Sequence, residues 1–285
     1  MRRHIPVLKK EVLEILNPKP NENFIDATIG EGGYTIEILK RNQPNGKVLG
    51  IDRDPAQIEN CKLKIKEFKD RLVLVNDSYL NLKEIVKRNN FGPVCGILFD
   101  LGMSLWHVKE SKRGFTFQED EPLDMRYDTQ GNNLTAEKII NEYSQEEIEH
   151  ILREYGEEWF AKRLAKVIIK ERPIKTTFKL LEVIRRARIY SPDRIFQAFR
   201  IAVNGELNNI RNTLPQIRDI LAPGGKIVII SFHSLEDRIV KFFFKEEAKK
   251  NLLKVLTKKP IRPSKEEIKT NPCSRSAMLR AAIKK

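Results

Sequence analysis

The stretch Asp26-Ala-Thr-Ile-Gly30-Glu-Gly32-Gly33-Tyr34, with Asp52 closing the next hydrophobic run, constrains the fold more than any other part of the chain. Phe24-Ile25 reads as the end of a buried strand and Thr35 to Lys40 as the start of a helix, so the glycines lie in the turn between them. A residue without Cβ there lets a ligand approach the backbone closely. A carboxylate about 20 residues further on, closing the second strand, is where a doubly wound sheet grips ribose hydroxyls. Asp54, just before Pro55, reads instead as the N-cap of the next helix.

Strand-like runs alternate with helical patterns at 24–27, 47–51, 72–75 and 94–99, followed by or ending in Thr28, Asp52, Asn76 and Asp100. This is the rhythm of a parallel sheet that binds its ligand at the carboxyl ends of the strands. Between about 108 and 209 the rhythm gives way to helical patterns at 136–142, 145–155, 158–171, 178–188 and 193–202. It resumes with a helix ending at Leu221, the turn Ala222-Pro-Gly-Gly225 and a strand at 226–232. The expected α/β architecture is a sheet domain of residues 1–107 plus 210–285, interrupted by a helical domain at 108–209. An amphipathic helix is expected from Pro6, with Val7, Leu8, Val12, Leu13 and Leu16 on its apolar face. Pro260, Pro263 and Pro272 make the tail an extended arm that returns to the sheet at 276–283.

The glycine turn distinguishes two nucleoside cofactors. A dinucleotide fingerprint needs a third glycine so that a pyrophosphate can sit on the helix N-terminus, and here that position is Thr35. Asp26 four residues before Gly30, with Gly32-Gly33, resembles the D-x-x-x-G-x-G of class I methyltransferases, whose S-adenosylmethionine carries no pyrophosphate. A Rossmann oxidoreductase using a nicotinamide cofactor is the enzymatic alternative. A non-catalytic RNA-binding or assembly factor that kept the pocket is the other.

Charge points to the partner. The chain carries a net +14 at a pI near 9.6, unevenly placed. From Lys241 onward there are fourteen Lys/Arg against four Glu, and from Trp159 to Arg200 twelve against three Asp/Glu. Residues 110–158 are acidic, with fourteen carboxylates against five basic residues. Two basic segments suit a polyanion, although Lys and Glu enrichment also accompanies adaptation to heat. With 32% charged residues, a mean hydropathy of −0.46 and no apolar run of membrane-spanning length, the chain reads as soluble. Its start, Met-Arg-Arg-His-Ile-Pro-Val, lacks the apolar core of a signal peptide, and Cys61, Cys95 and Cys273 suit neither a disulfide framework nor a zinc site. A cytoplasmic protein without a metal is expected.

Six segments have compositions that packing alone does not explain. They are His4-Ile-Pro-Val-Leu, Asp100-Leu-Gly-Met-Ser104, Arg113-Gly-Phe-Thr-Phe-Gln-Glu-Asp-Glu-Pro-Leu-Asp-Met-Arg126, Phe196-Gln-Ala-Phe-Arg-Ile-Ala-Val-Asn204, Ser231-Phe-His-Ser-Leu-Glu-Asp-Arg238 and Asn271-Pro-Cys-Ser-Arg-Ser-Ala-Met-Leu-Arg280. Together they resemble the RsmH (MraW) family over nearly the whole chain. That resemblance implies a class I (Rossmann-like) methyltransferase sheet and S-adenosyl-L-methionine as cofactor. It implies methylation of the exocyclic N(4) of a cytidine in the decoding region of 16S rRNA, position 1402 in standard rRNA numbering. The partner would be 16S rRNA, either naked or within the small ribosomal subunit, with no membrane and no obligatory protein partner. The helical insertion would serve RNA recognition.

The resemblance also implies the site. Gly30, Gly32, Gly33 and Tyr34 in the turn, Asp52 on the ribose, Tyr79 beside the adenine, and Asp100 and His107 near the methionine end would hold the cofactor. Asp100, Asn204, His233 and Asp124 are the candidates to accept hydrogen bonds and a proton from the cytosine amine. Arg113, Arg126 and Arg238 would meet phosphate. For Tyr79 the alternative is a half-buried loop aromatic, for His107 a surface-loop histidine, and for His233 a satisfied structural one. The family usually reads Asp-Leu-Gly-Val-Ser-Ser-Pro-Gln where this chain has Asp100-Leu-Gly-Met-Ser-Leu105-Trp-His107. It has Gly where Glu121 stands and Arg where Cys273 stands. Pro272-Cys273 also imitates the dipeptide of carbon-5 cytosine methyltransferases, a coincidence on this reading.

Overall fold

The computed structural model describes residues 5–285, so His4 of the first motif lies outside the described residues. Seven strands form one sheet: β1 (Asn23–Asp26), β2 (Val48–Asp52), β3 (Leu72–Asn76), β4 (Val94–Asp100), β5 (Leu221–Ser231), β6 (Leu253–Val255) and β7 (Met278–Lys284). Their spatial order is β3-β2-β1-β4-β5-β7-β6. The first five are mutually parallel, while β7 runs antiparallel between β5 and β6. The described residues divide into two compact units, 5–102 with 207–285, and 103–206.

In the sheet unit, successive strand residues alternate between two apolar layers, as the period of two demands. Ile25, Ile51, Ile97, Phe99 and Ile229 face the helices Leu82–Arg88, Glu206–Ile220 and Ser234–Lys249. Phe24, Val48, Leu98, Val228 and Ile230 face the helices Lys9–Leu16, Gly33–Arg41 and Pro55–Lys64. Each fully buried Ile or Leu in these layers is worth about 1.5–3 kcal/mol relative to an exposed one. Coverage on both faces explains why the strands read as continuous hydrophobic runs.

Three expectations change here. The N-terminal helix starts at Lys9 rather than Pro6, because Leu8 adopts φ 50 and cannot continue a helical turn. The segment Ala222–Gly225 belongs to β5 as an outward bulge, since the register jumps from Val94↔Leu221 to Gly96↔Lys226. The short β6 carried no signal in the sequence. It pairs with β7 through Leu253↔Lys284 to Val255↔Ala282 and places β7 inside the sheet.

The 103–206 unit is helical: Ala136–Glu142, Gln145–Gly156, Ala161–Lys170, Thr177–Arg186 and Pro192–Asn204 pack around Ile139, Leu152, Leu164, Ile184 and Phe199. Caps set their boundaries. Ser144 and Glu147 form a reciprocal capping box, and Thr176 accepts from Lys179 N. The helix expected from residue 158 begins only at Ala161, because Glu157 takes φ 48 and the Glu158 carboxylate accepts from Phe160 N.

Candidate active site

The carboxyl ends of β1, β2 and β4 converge on three aspartates. Asp26 ends β1 and is completely buried; its Oδ2 accepts from Thr35 Oγ1 at 2.8 Å, and its Oδ1 has no hydrogen-bond partner. Burial is the main reason its carboxyl is pushed up to about 6. Asp100 ends the neighbouring β4; its N–H donates to Thr28 Oγ1 at 2.7 Å, and its Oδ1 likewise lacks a partner. Burial, and then the Asp26 charge, push Asp100 up to about 8. The Tyr34 hydroxyl donates to Val7 O at 2.5 Å and lies 3.4 Å from Asp100 Oδ2. Burial and the Asp100 charge raise that phenol well above its ordinary value, so it stays a donor.

Asp52 ends β2. Its Oδ2 accepts from Gly30 N at 3.0 Å and its Oδ1 from Asp54 N at 2.9 Å, which fixes the carboxylate against the turn. Asp54 accepts from Ala56 N and caps the helix Pro55–Lys64, as its place before Pro55 suggests. Within the turn the glycines divide their work. A Cβ at Gly32, where φ is 77, would stand 2.2 Å from Ile65 Cδ1, and one at Gly33 would stand 2.5 Å from Pro6 Cγ. Gly30 alone of the three has room above it, since a Cβ there would meet its nearest neighbours only at 3.9 and 4.0 Å. The segment that presses on Gly33 is itself clasped: Leu8 N donates to Glu267 Oε1 at 2.7 Å, and Asn271 Nδ2 donates to Ile5 O at 3.0 Å. Tyr79, in the short turn after β3, sets its ring edge-on to Phe99 and lines an apolar recess with Leu101, Ile210 and Ile229.

His233 follows β5 and caps the helix Ser234–Lys249. Its Nδ1 accepts from Glu236 N at 3.4 Å, and its Nε2 lies 3.2 Å from Glu236 Oε1. Glu236, which sequence reasoning missed, is almost completely buried; its Oε2 accepts from Phe232 N at 2.8 Å, and its charge reaches Asp100. The spacing His233-Ser-Leu-Glu236 carried the signal, a cap followed by an acid three residues on. Arg238 is exposed on the same helix.

The remaining candidates belong to the helical unit, and there their polar atoms are committed to the chain around them. Expected as an amine acceptor, Asn204 instead clamps a loop: Oδ1 accepts from Tyr127 N, and Nδ2 donates to Met125 O and Arg200 O. Asp124 and Arg126 form a bidentate pair at 2.7 and 2.8 Å. Arg126 also donates to Asn132 O, and its pairing with Asp124 raises its pKa. Arg113 donates to Tyr127 O and lies over the Trp106 ring at 5.3 Å. His107, expected beside the cofactor or on a surface loop, is buried against Phe115 and Tyr127 and closes a capping box with Ser104. Glu121 is not an arbitrary departure. Its buried carboxylate accepts from Gly114 N at 2.8 Å, at a glycine where a Cβ would stand 2.4 Å from Pro122 O.

A seven-stranded sheet in this order, with its last strand reversed and acids at the ends of β1, β2 and β4, defines a class I methyltransferase. The chain belongs to the MraW methylase family, whose model matches residues 1–285. It is 45% identical to the ribosomal RNA small subunit methyltransferase H of Thermotoga neapolitana, over 98% of this chain and 95% of that protein. It is 44% identical to the protein of that name from Halothermothrix orenii, over 99% and 98%. A Streptococcus mutans protein crystallised in complex with SAH shares the fold at a TM-score of 0.50 and 12% identity, over 99% of this chain and 100% of that one. The oxidoreductase alternative is thereby set aside. Among the described residues no helix is long and apolar enough to cross a membrane.

Proposed function

We propose that this protein transfers a methyl group from S-adenosylmethionine to the exocyclic N(4) of a cytidine in 16S rRNA. The family and the names of its relatives support a methyltransferase acting on small-subunit rRNA. The base, its position 1402, the small subunit as the setting and the cytoplasm as the compartment rest on the resemblance carried by the polar motifs. No membrane, metal or obligatory protein partner enters this reading.

The observation that carries it is the pair of buried carboxyls on adjacent strands, Asp26 and Asp100, each with an oxygen that no donor satisfies. An orphaned buried acceptor costs free energy, and so does an unpaired buried charge. A cation arriving between these groups removes both costs, and the donor molecule carries an ammonium and a sulfonium. S-adenosylmethionine, when bound, supplies an electrophilic methyl on that positively charged sulfur. Asp52, fixed against the turn by the Gly30 and Asp54 N–H groups, would present its carboxylate to the ribose hydroxyls. Gly30 would leave the backbone open to them, and the Tyr79 side chain would lie beside the adenine.

The cytosine amine is a poor nucleophile because its lone pair is delocalised into the ring. Holding it in line can supply about 7–11 kcal/mol of the barrier. Asp100 would accept its hydrogen bond and, after transfer, its proton. In the ligand-free protein that carboxyl is pushed up to about 8, and beside the cationic donor it would lose its proton and stand ready to accept another. His233 holds the helix cap and Glu236 holds His233, so both act as positioning residues. In the helical unit Asn204, Asp124, Arg113 and Arg126 shape the loop, and its basic surface would meet RNA, as would Arg238.

Asp100→Asn tests the assignment. Methyl transfer to small subunits, followed by nucleoside mass spectrometry, should fall at least ~100-fold in kcat. A wild-type rate would remove Asp100 from the chemistry. No calorimetric heat from S-adenosylmethionine with the wild-type protein would remove the whole reading.

A further inference from the structure

The stretch from Trp159 to Tyr190 leaves large aromatic side chains in water. Trp159 is 92% exposed, Tyr190 91% and Phe160 55%, while the core beneath is closed without them by Leu164, Ile168, Ile184 and Ile189. Contacts of Arg163 join the segments that carry these side chains at one corner of the helical unit. The Arg163 guanidinium lies 4.4 Å over the Phe160 ring and donates to Arg188 O at 3.2 Å. Arg188 takes φ 53, which turns the chain sharply two residues before Tyr190. The two loops that display Trp159 and Tyr190 are therefore tied to one another.

The surroundings are cationic. Glu171 and Glu182 are already taken by Lys179 and Arg186, whereas Lys162, Lys166, Arg185 and Arg188 are exposed. Exposed aromatic faces among cations are what unpaired nucleic acid recognises. Bases stack on the rings in a sequence-tolerant way, and phosphates meet the Lys and Arg. A duplex hides its base faces and could use only the charges.

We propose that the Trp159–Tyr190 corner is a stacking platform for unpaired bases of the RNA substrate. The inference rests on the rRNA reading above and adds to it the form of RNA and the residues that hold it. Trp106 and Trp159 are the two tryptophans, so Trp106→Phe leaves Trp159 as the reporter. Fluorescence of that full-length variant should be quenched by a short single-stranded oligoribonucleotide and not by a duplex of the same length. With Trp106 intact, W159A/Y190A should lower affinity for the single strand about tenfold per ring removed. Y190F should keep most of that affinity. Calorimetric binding of S-adenosylmethionine should not change, since both side chains lie outside the core; that readout separates failure of the platform from failure of the methyltransferase reading. Equal quenching by duplex, or unchanged affinity in W159A/Y190A, would overturn the proposal. So would a defect confined to assembled subunits with naked RNA bound normally, which would assign the corner to a protein surface.

Discussion

Asp100 carries a proton near neutral pH until a positive charge arrives beside it. Its carboxyl, like that of Asp26, lies above its unfolded value, moving from 3.8 to about 8 in one case and to about 6 in the other. Between those limits the folded protein binds more protons than the unfolded chain, so stability is greatest below the unfolded value and is lost as pH rises. In scanning calorimetry the Tm of ligand-free protein should fall between about pH 5 and pH 8.5. Asp100→Asn should flatten that fall, and S-adenosylmethionine should raise Tm more at the alkaline end, where no proton must be displaced. Parallel profiles for the two proteins would contradict the linkage. The strand ends bearing these acids were legible in the sequence, because each hydrophobic run stops at a polar residue. Where polar side chains spend their hydrogen bonds was not. Asn204, Asp124 and Arg126 stand in motifs as polar as the one around Asp100, yet their partners are backbone groups or each other. A sequence does not tell a side chain facing a cleft from one facing its own loop.

The Asn204 amide fastens the loop 113–127 to the last turn of the helix Pro192–Asn204. Truncating Asn204 to Ala strands Tyr127 N and Met125 O away from water, and each unsatisfied buried group costs about 1–3 kcal/mol. Urea unfolding should show the variant destabilised by about 2–4 kcal/mol, with Asn204→Asp intermediate because it keeps an acceptor for Tyr127 N. An unchanged midpoint would mean that the clamp is dispensable. At this scale the sequence was most readable where chemistry marks a boundary. The helix expected at 136–142 lies there after a capping Thr135, and the one expected at 193–202 runs slightly longer, from Pro192 to Asn204 before Gly205 at φ 61. It was least readable where only backbone geometry decides, as at Leu8, Glu157 and the bulge in β5. The three-residue β6 is too short to carry a period, so the pairing that surrounds β7 came from the structure alone.

The whole molecule is a polycation at a pI near 9.6 with acidic residues gathered in 110–158. If rRNA is bound largely through phosphates, its affinity should fall linearly with salt on a log–log plot, because each neutralised phosphate releases a counterion. Filter binding between about 50 and 200 mM salt should show a fall of at least ~100-fold for several phosphate contacts. A flat response would shift the interaction from charge to stacking. The parallel part of the sheet followed from the strand–helix rhythm, but the reversal of β7 did not, since direction is set by what a strand pairs with. The clasp on residues 5–8 was equally hidden. Glu267 holds Leu8 across 259 residues of chain, and Asn271 holds Ile5. In synthesis the glycine turn therefore leaves the ribosome long before Glu267 and Asn271, and the segment over it can be fastened only once those residues have followed.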